Sequence, residues 1–381
     1  MSRPPKTTIA LDVPPGWLVG IDLYYFTSTP AFKGIKGVPP GQTHILHWGQ
    51  DETSVRNGVV FEAKDGEVLI FKWDAKKEEM LTNQTVDIAE ALSIVPEQYA
   101  YMLPFDSISE EHQTPESQAF PKLVSHVTQK VVSSVIAPDV VVSSTTATVQ
   151  EASVLKGALQ KSREQRDERN AEKRHGSPTA EPAKSGDASH DIPADEMNNV
   201  TPGFENLDKE PTLSFPTLTP DQTWKPESTG RERTLDSLDS TWYVENVLLK
   251  NSSSEDLLGY FQLSFLLCLV LSNYSSSITW RDYIKILSKG EQLSAKNPDL
   301  YVQFFDTLVR QLTVAPAEYL DGLLELSALM EPLGNLKEII FEGQRGFNHE
   351  EVAVSPKLKR GFESLESKLE EMGYKLEKPE E

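Results

Sequence analysis

Two histidines three residues apart, His44 and His47, stand in Gly41-Gln42-Thr43-His44-Ile45-Leu46-His47, with Glu52 beyond them. Two imidazoles and a carboxylate just past a glycine are a donor set that small β-barrel metalloenzymes use. The spacing argues against that chemistry here. His44 to Trp48 reads as a strand, side chains alternate along a strand, and residues three apart therefore point to opposite faces and do not share an ion. A second arrangement, Gly34-Ile35-Lys36-Gly37-Val38-Pro39-Pro40-Gly41, has the composition of a phosphate loop. It lacks the Gly-Lys-Ser/Thr ending and a following helix, and its two prolines offer no N–H donors. Cys268 is the single cysteine and lies in the apolar run Phe265-Leu266-Leu267-Cys268-Leu269-Val270-Leu271. A disulfide or a cysteine-based metal site within one chain is excluded, and the thiol reads as buried and inert. No Gly-x-Ser-x-Gly elbow occurs. These residues ask for no catalysis, no cofactor and no metal.

Charge narrows the partners. The 381 residues carry 58 acidic and 37 basic side chains, a formal net charge of −21, which repels a phosphate backbone at long range. The densest basic stretch, Lys161 to Arg174, interleaves Glu164, Asp167, Glu168 and Glu172 and reads as a solvated charged segment rather than a nucleic-acid arm. No secretory signal opens the sequence. The longest apolar run, Leu257 to Leu271, is interrupted by Gly259, Gln262 and Ser264. It falls short of the ~20 residues that span a bilayer, so it reads as a core helix. Direct nucleic acid and membrane are thus not expected partners.

The elements that must position these residues fall into three parts, an α+β multidomain arrangement. The domain at 14–150 is mainly antiparallel β. Leu18 to Phe26 is rich in strand formers. Val59 to Ala63 and Val68 to Trp73 flank Asp65-Gly66 as a hairpin, and Phe32 to Gly41 reads as a Gly/Pro loop entering the strand at His44. Phe120, Leu123, Val124 and Val127 predict one helix on that sheet, over 115–137. Residues 151–230 are poor in apolar side chains and read as a disordered linker, with a transient charged helix over 156–174 and apolar islands at Phe215, Leu218 and Trp224. The domain at 235–375 turns to helical periodicity, an all-α bundle. Trp280, Tyr283, Ile284 and Leu287 share one helix face, and Tyr301, Phe304, Phe305 and Leu308 another, the latter behind Asn297 as N-cap and Pro298 at the first helical position. Pro316 opens a helix with Leu320, Leu323 and Leu324. A last helix behind Ser355-Pro356 carries Leu358, Phe362, Leu365, Leu369 and Met372, and should dock on the bundle or on a partner. Between the first two bundle helices, Asn251-Ser252-Ser253-Ser254-Glu255-Asp256 spells a capping box at Ser252-x-x-Glu255. Ser252 and Ser253, each with an acidic residue three positions on, are also phosphorylation candidates for an acidophilic kinase.

Gly20-Ile21-Asp22, Phe32-Lys33-Gly34-Ile35-Lys36-Gly37-Val38-Pro39-Pro40-Gly41, His44, Arg56-Asn57-Gly58 and Lys72-Trp73-Asp74 follow one another in the order of a known family pattern. Trp242-Tyr243-Val244-Glu245-Asn246-Val247-Leu248, Leu257 to Phe265, and Trp280 to Leu287 continue it. Over 14–135 and 235–330 the chain resembles the A1-alpha2 repression splicing-factor family, the assembly factors of the U5 small nuclear ribonucleoprotein. The resemblance implies a β-rich N-terminal domain, a VHS-like helical C-terminal domain and no enzymatic activity. It further implies binding to the large U5 scaffold protein through that protein's RNase H-like and Jab/MPN-like domains, in the cytoplasm and the nucleus, with helicase loading delayed. Phe32, Lys33, Gly34, Ile35, Lys36, Pro39, Pro40, Gly41 and His44 are the partner-binding candidates, since a Pro-stiffened loop can present a recognition edge. A trafficking adaptor that reads peptides with its helical domain is the alternative. A flexible tether between two binding domains would add avidity.

Overall fold

The computed structural model describes residues 6–82, 88–111, 120–175, 210–342 and 355–376. Among these, ten strands make two sheets: β1 (Thr7–Asp12), β2 (Leu18–Ile21), β3 (Tyr24–Thr27), β4 (Gly34–Val38), β5 (Thr43–Gly49), β6 (Asn57–Glu62), β7 (Val68–Asp74), β8 (Glu79–Leu81), β9 (Leu103–Pro104) and β10 (Val142–Ser143). Their orders are β8-β7-β1-β4-β9 and β10-β6-β5-β2-β3. Alternation along β1 explains the layering. Ile9 and Leu11 enter the core between the sheets with Ile21, Ile35, Leu46, Trp48 and Phe71, while Ala10 turns the other way with Ile70 and Met102, where Val95 of the helix Ile88–Gln98 packs. A strand covered on both faces carries apolar residues at successive positions, as β1 does.

Several elements depart from the sequence reading. β1 lies before residue 14 yet is the central strand of its sheet, pairing antiparallel with β4 and parallel with β7. Leu18 to Phe26, rich in strand formers, forms a hairpin turned at Asp22, whose φ is +59°. The Asp65-Gly66 turn is present, with Gly66 at φ +71° and Glu67 N–H donating to Lys64 O at 3.1 Å. It does not make a hairpin, because β6 pairs with β5 and β10 while β7 pairs with β1 and β8. The turn carries the chain from one sheet to the other. Gly34 to Val38 is a strand rather than a loop: Gly34, at φ +133°, lies so close to Ile9 that an added Cβ would stand 2.0 Å from its carbonyl oxygen. Glycine here permits close strand approach. The single helix expected over 115–137 is, within the described residues, two short ones, Phe120–Leu123 and Gln129–Val135, the second capped by Thr128.

The helical part follows its periodicity. Trp280, Tyr283, Ile284 and Leu287 are all buried on Tyr274–Ser288, as are Tyr301, Phe304, Phe305 and Leu308 on Pro298–Val314. Asn297 caps the latter through Leu300 N–H. Ala317–Leu320 is a single short turn after Pro316. The last helix, Pro356–Glu371, docks on the bundle: Phe362 meets Phe305 edge-on at 5.3 Å. One helix among the described residues, Ser254–Leu271, is long and apolar enough to cross a membrane, and its side chains are almost all buried inside the bundle. Cys268 lies within it, and burial pushes its thiol up to about 12.

The chain divides into two compact units, residues 1–145 with 214–381, and residues 146–213. The sheets and the helical bundle thus belong to one unit. The segment 151–230, read as a disordered linker, includes helix and packed residues where described. Val149–His175 is a helix, and Leu213 bridges back in parallel to Thr148 with Leu213 N–H donating to Ala147 O at 2.9 Å. Leu218 and Thr223 are buried, and Arg233 lies 4.2 Å over the Trp224 ring. Leu213 is also buried, Phe215 and Trp224 are half-buried, and Val154 and Leu155 are exposed. Residues 176–209 of the expected linker lie outside the described residues.

Candidate interaction site

The outer face of the second sheet is where the two halves of the family pattern meet. β5 carries His47 between two glycines, with Gly20 opposite it on β2 and Gly58 opposite it on β6. A Cβ at Gly20 would stand 2.2 Å from the His47 ring, and one at Gly58 would stand 2.7 Å from Leu271 Cδ2. Both glycines therefore make room, one for an imidazole lying across the strand and the other for the end of the helix Ser254–Leu271. Burial and the nearby Arg56 guanidinium lower the His47 imidazole to about 3, so it is neutral, and among the described residues Nδ1 has no hydrogen-bond partner.

Hydrogen bonds close the seam around this stack. Arg56 reaches the Val270 carbonyl and Asn273 donates to Ser143 O at 2.8 Å, while within the sheet module Thr43 donates to Val127 O at 2.7 Å. Gln262, the lone amide within the apolar run, accepts from His126 N–H at 2.8 Å and donates to Ser125 Oγ at 3.1 Å. Gly259 lets the His126 backbone approach, since a Cβ there would be 2.3 Å from His126 O. Lys130 pairs with Asp256 at 2.6 Å. Burial would raise the Asp256 carboxyl, but hydrogen bonds from Lys130 and Ser253 outweigh it and hold it below its ordinary value.

Asp256 also fixes the cap. The box is Ser253 with Asp256, not Ser252 with Glu255: Asp256 N–H donates to Ser253 Oγ at 3.0 Å and Ser253 N–H donates to Asp256 Oδ2 at 2.9 Å. The sequence allows both registers, and the Lys130 contact favours the one that aims Asp256 into the seam. Ser252 is half-buried and Ser253 is exposed.

On the inner face, His44 is fully buried and donates from Nδ1 to Asp22 Oδ2 at 2.7 Å, with Nε2 3.1 Å from Pro39 O. Asp22 Oδ1 accepts from Ile45 N–H at 3.0 Å. Burial opposes charge on His44, but the Asp22 carboxylate overrides it and the imidazole is raised above its ordinary value. Gln42 Nε2 also lies 3.2 Å from His44 Nε2, so that nitrogen stands between a carbonyl oxygen and an amide nitrogen. His44 packs among Phe61, Phe105 and Phe120. His44 and His47 thus leave β5 on opposite faces, and among the described residues no three metal-ligating side chains converge.

The partner-binding candidates divide by burial. Phe32, Gly34, Ile35 and His44 are buried, and Phe32 packs on Phe26 at 5.3 Å. Lys33, Lys36 and Pro39 are half-buried, and Pro40 and Gly41 are exposed. Lys36 Nζ donates to Tyr99 O at 2.8 Å and lies 4.6 Å over the Tyr99 ring. Composition alone gave no sign of the roles of Gln262, Asn273 and Lys130; the one legible hint was a glutamine inside fifteen largely apolar residues.

A two-sheet module packed against a helical module within one compact unit defines a two-part protein. Residues 4–137 match the family model described as the AAR2 N-terminal domain, and 215–377 match the AAR2 C-terminal repeat region. The chain belongs to the AAR2 family. It is 25% identical over 335 residues to the A1 cistron-splicing factor AAR2 of Saccharomyces cerevisiae, covering 85% of this chain and 80% of that protein. Against the Protein AAR2 homolog of Mus musculus identity is 24% over 330 residues, 82% of this chain and 77% of the relative. The Homo sapiens homolog is 32% identical over 103 residues, 26% of this chain and 27% of that protein.

Proposed function

We propose that this chain is a non-enzymatic splicing factor that assists U5 small nuclear ribonucleoprotein assembly by holding the particle's large scaffold protein. It engages the scaffold's RNase H-like and Jab/MPN-like domains, in cytoplasm and nucleus, and delays helicase loading until it leaves. Family membership across both modules is the observation that carries this reading. Charge supports it, because an acidic chain gains on-rate toward a basic, RNA-binding scaffold and itself avoids RNA. The seam alters how the avidity arises: two modules packed together present a preorganised surface, which lowers the entropy cost of binding without a tether. Of the Gly/Pro stretch, Pro40 and Gly41 are exposed and Lys33, Lys36 and Pro39 half-buried, which leaves these five able to contribute a contact.

The test is titration calorimetry of the full chain against each purified scaffold domain and against both joined. Binding to either domain supports the reading, and absence of binding to both overturns it.

A further inference from the structure

Each of the two sheets ends on two outer strands, and three of these four carry a recognised guard against pairing with another chain. β8 follows Lys76, Lys77 and Glu78 and begins at Glu79, with Lys77 and Glu79 paired at 3.3 Å. β9 is two residues long and ends in Pro104. β10 is also two residues long, and Asn273 donates to its Ser143 carbonyl. Short edges, charges and proline are the usual devices by which sheets avoid edge-to-edge association.

β3 has none of them. It is four residues long, Tyr24-Tyr25-Phe26-Thr27, with no charge and no proline, and among the described residues only β2 pairs with it. Tyr25 is 47% exposed and Thr27 is exposed. The strand is held firmly from within. Phe26 packs on Phe32, Tyr25 pairs with Gly20 beside the His47 stack, and the Arg56 guanidinium that reaches the helical part lies 6.0 Å from the Tyr25 ring. This edge carries no charged side chain of its own and is continuous with the seam.

We propose that β3 is a docking edge, to which an extended, net-basic segment of a protein partner adds as a further strand of the second sheet. Only an extended chain can match a row of strand amides and carbonyls, and side chains on alternate positions then read Tyr25 and Thr27. Charge selects among extended chains. At −21 a second copy of this chain is repelled and a cationic segment is attracted. The inference rests on the reading of this chain as a scaffold-binding factor and names one contact within it.

The experiment compares the full wild-type chain with the double variant Tyr25→Lys, Thr27→Lys, which gives β3 the guard that β8 has. Both side chains are exposed, and an unchanged melting temperature confirms the fold. Affinity for the joined scaffold domains is expected to fall about tenfold or more, and amide exchange at residues 25–27 to slow in the wild-type complex only. If wild type binds and neither affinity nor exchange at β3 changes, the edge proposal is overturned while the assembly-factor reading stands. If wild type binds neither scaffold domain, both fall together. A wild-type dimer, seen by light scattering and lost in the double variant, would mean that the occupant is a second copy and would overturn the proposal as stated.

Discussion

Replacing His47 with glutamine removes a titration that couples the seam to pH. In the folded chain burial holds the imidazole near 3, against 6.5 for an ordinary histidine. The unfolded chain therefore binds a proton below about 6.5 that the folded chain refuses until far lower, so stability falls as pH falls through this window. Worked through linkage, the loss from about pH 7 to pH 5 is about 2 kcal/mol for this residue. Asp282 runs the other way: burial raises its carboxyl to about 6, so the folded chain binds the proton more tightly and gains about 1 kcal/mol over the same interval. The raised Asp22 and His44 also favour the folded chain at lower pH. The wild-type curve alone is thus a sum of opposed contributions, and the difference between wild type and His47→Gln isolates one of them. Urea unfolding at several pH values should show the variant gaining on wild type by about 2 kcal/mol between about pH 7 and pH 5. Parallel curves would refute a neutral, desolvated His47 and with it the tight closure of the sheet against Leu271.

Gly20→Ala should cost about 3 kcal/mol or more, because the new methyl falls 2.2 Å from the His47 ring and 2.4 Å from Tyr24 O. Gly41→Ala, at φ +84° with nothing within 4 Å, should cost only about 1 kcal/mol of backbone strain; thermal melts of the two variants decide whether the order holds. Ser253→Ala should lose a helix cap, about 1 kcal/mol. Ser253→Glu should weaken scaffold binding where Ser253→Ala does not, since it places charge beside Asp256; equal calorimetric affinities for all three chains would leave the serine a cap alone. Limited proteolysis is expected to cut first between residues 153 and 208, and because the sheets and helices share a buried seam the two resistant fragments should co-elute on gel filtration. Fragments that separate without denaturant would contradict the seam.

What the sequence made legible was periodicity, and what it hid was pairing. The bundle helices could be read from Trp280, Tyr283, Ile284 and Leu287 because contacts at three and four residues are local. The final helix could be read from its leucines and phenylalanine for the same reason. Strand partners are chosen by distant segments, so Asp65-Gly66 gave the turn correctly while giving no sign that the strands on either side join different sheets. β1 escaped because Thr7-Thr8-Ile9-Ala10-Leu11, covered on both faces, lacks the alternation that marks a half-buried strand. The opposed directions of His44 and His47 followed from strand geometry alone. Their partners did not, since Asp22, Gly20, Gly58 and Leu271 are brought to β5 by the fold. The family pattern was visible before any geometry, and the fold explains two of its glycines physically, because Gly20 and Gly58 leave empty the space that a ring and a leucine occupy.

The seam also sets a schedule for synthesis. Arg56 and Val270, which it joins, are separated by 214 residues of chain. At roughly 5–20 residues per second the ribosome needs on the order of ten to forty seconds to supply the second partner. During that interval the strand face around His47, with its two glycines, has no lid. Contacts this remote in sequence close late and slowly. An uncovered sheet face of this kind favours aggregation of a nascent chain, so this polypeptide would itself benefit from a chaperone until the helix arrives.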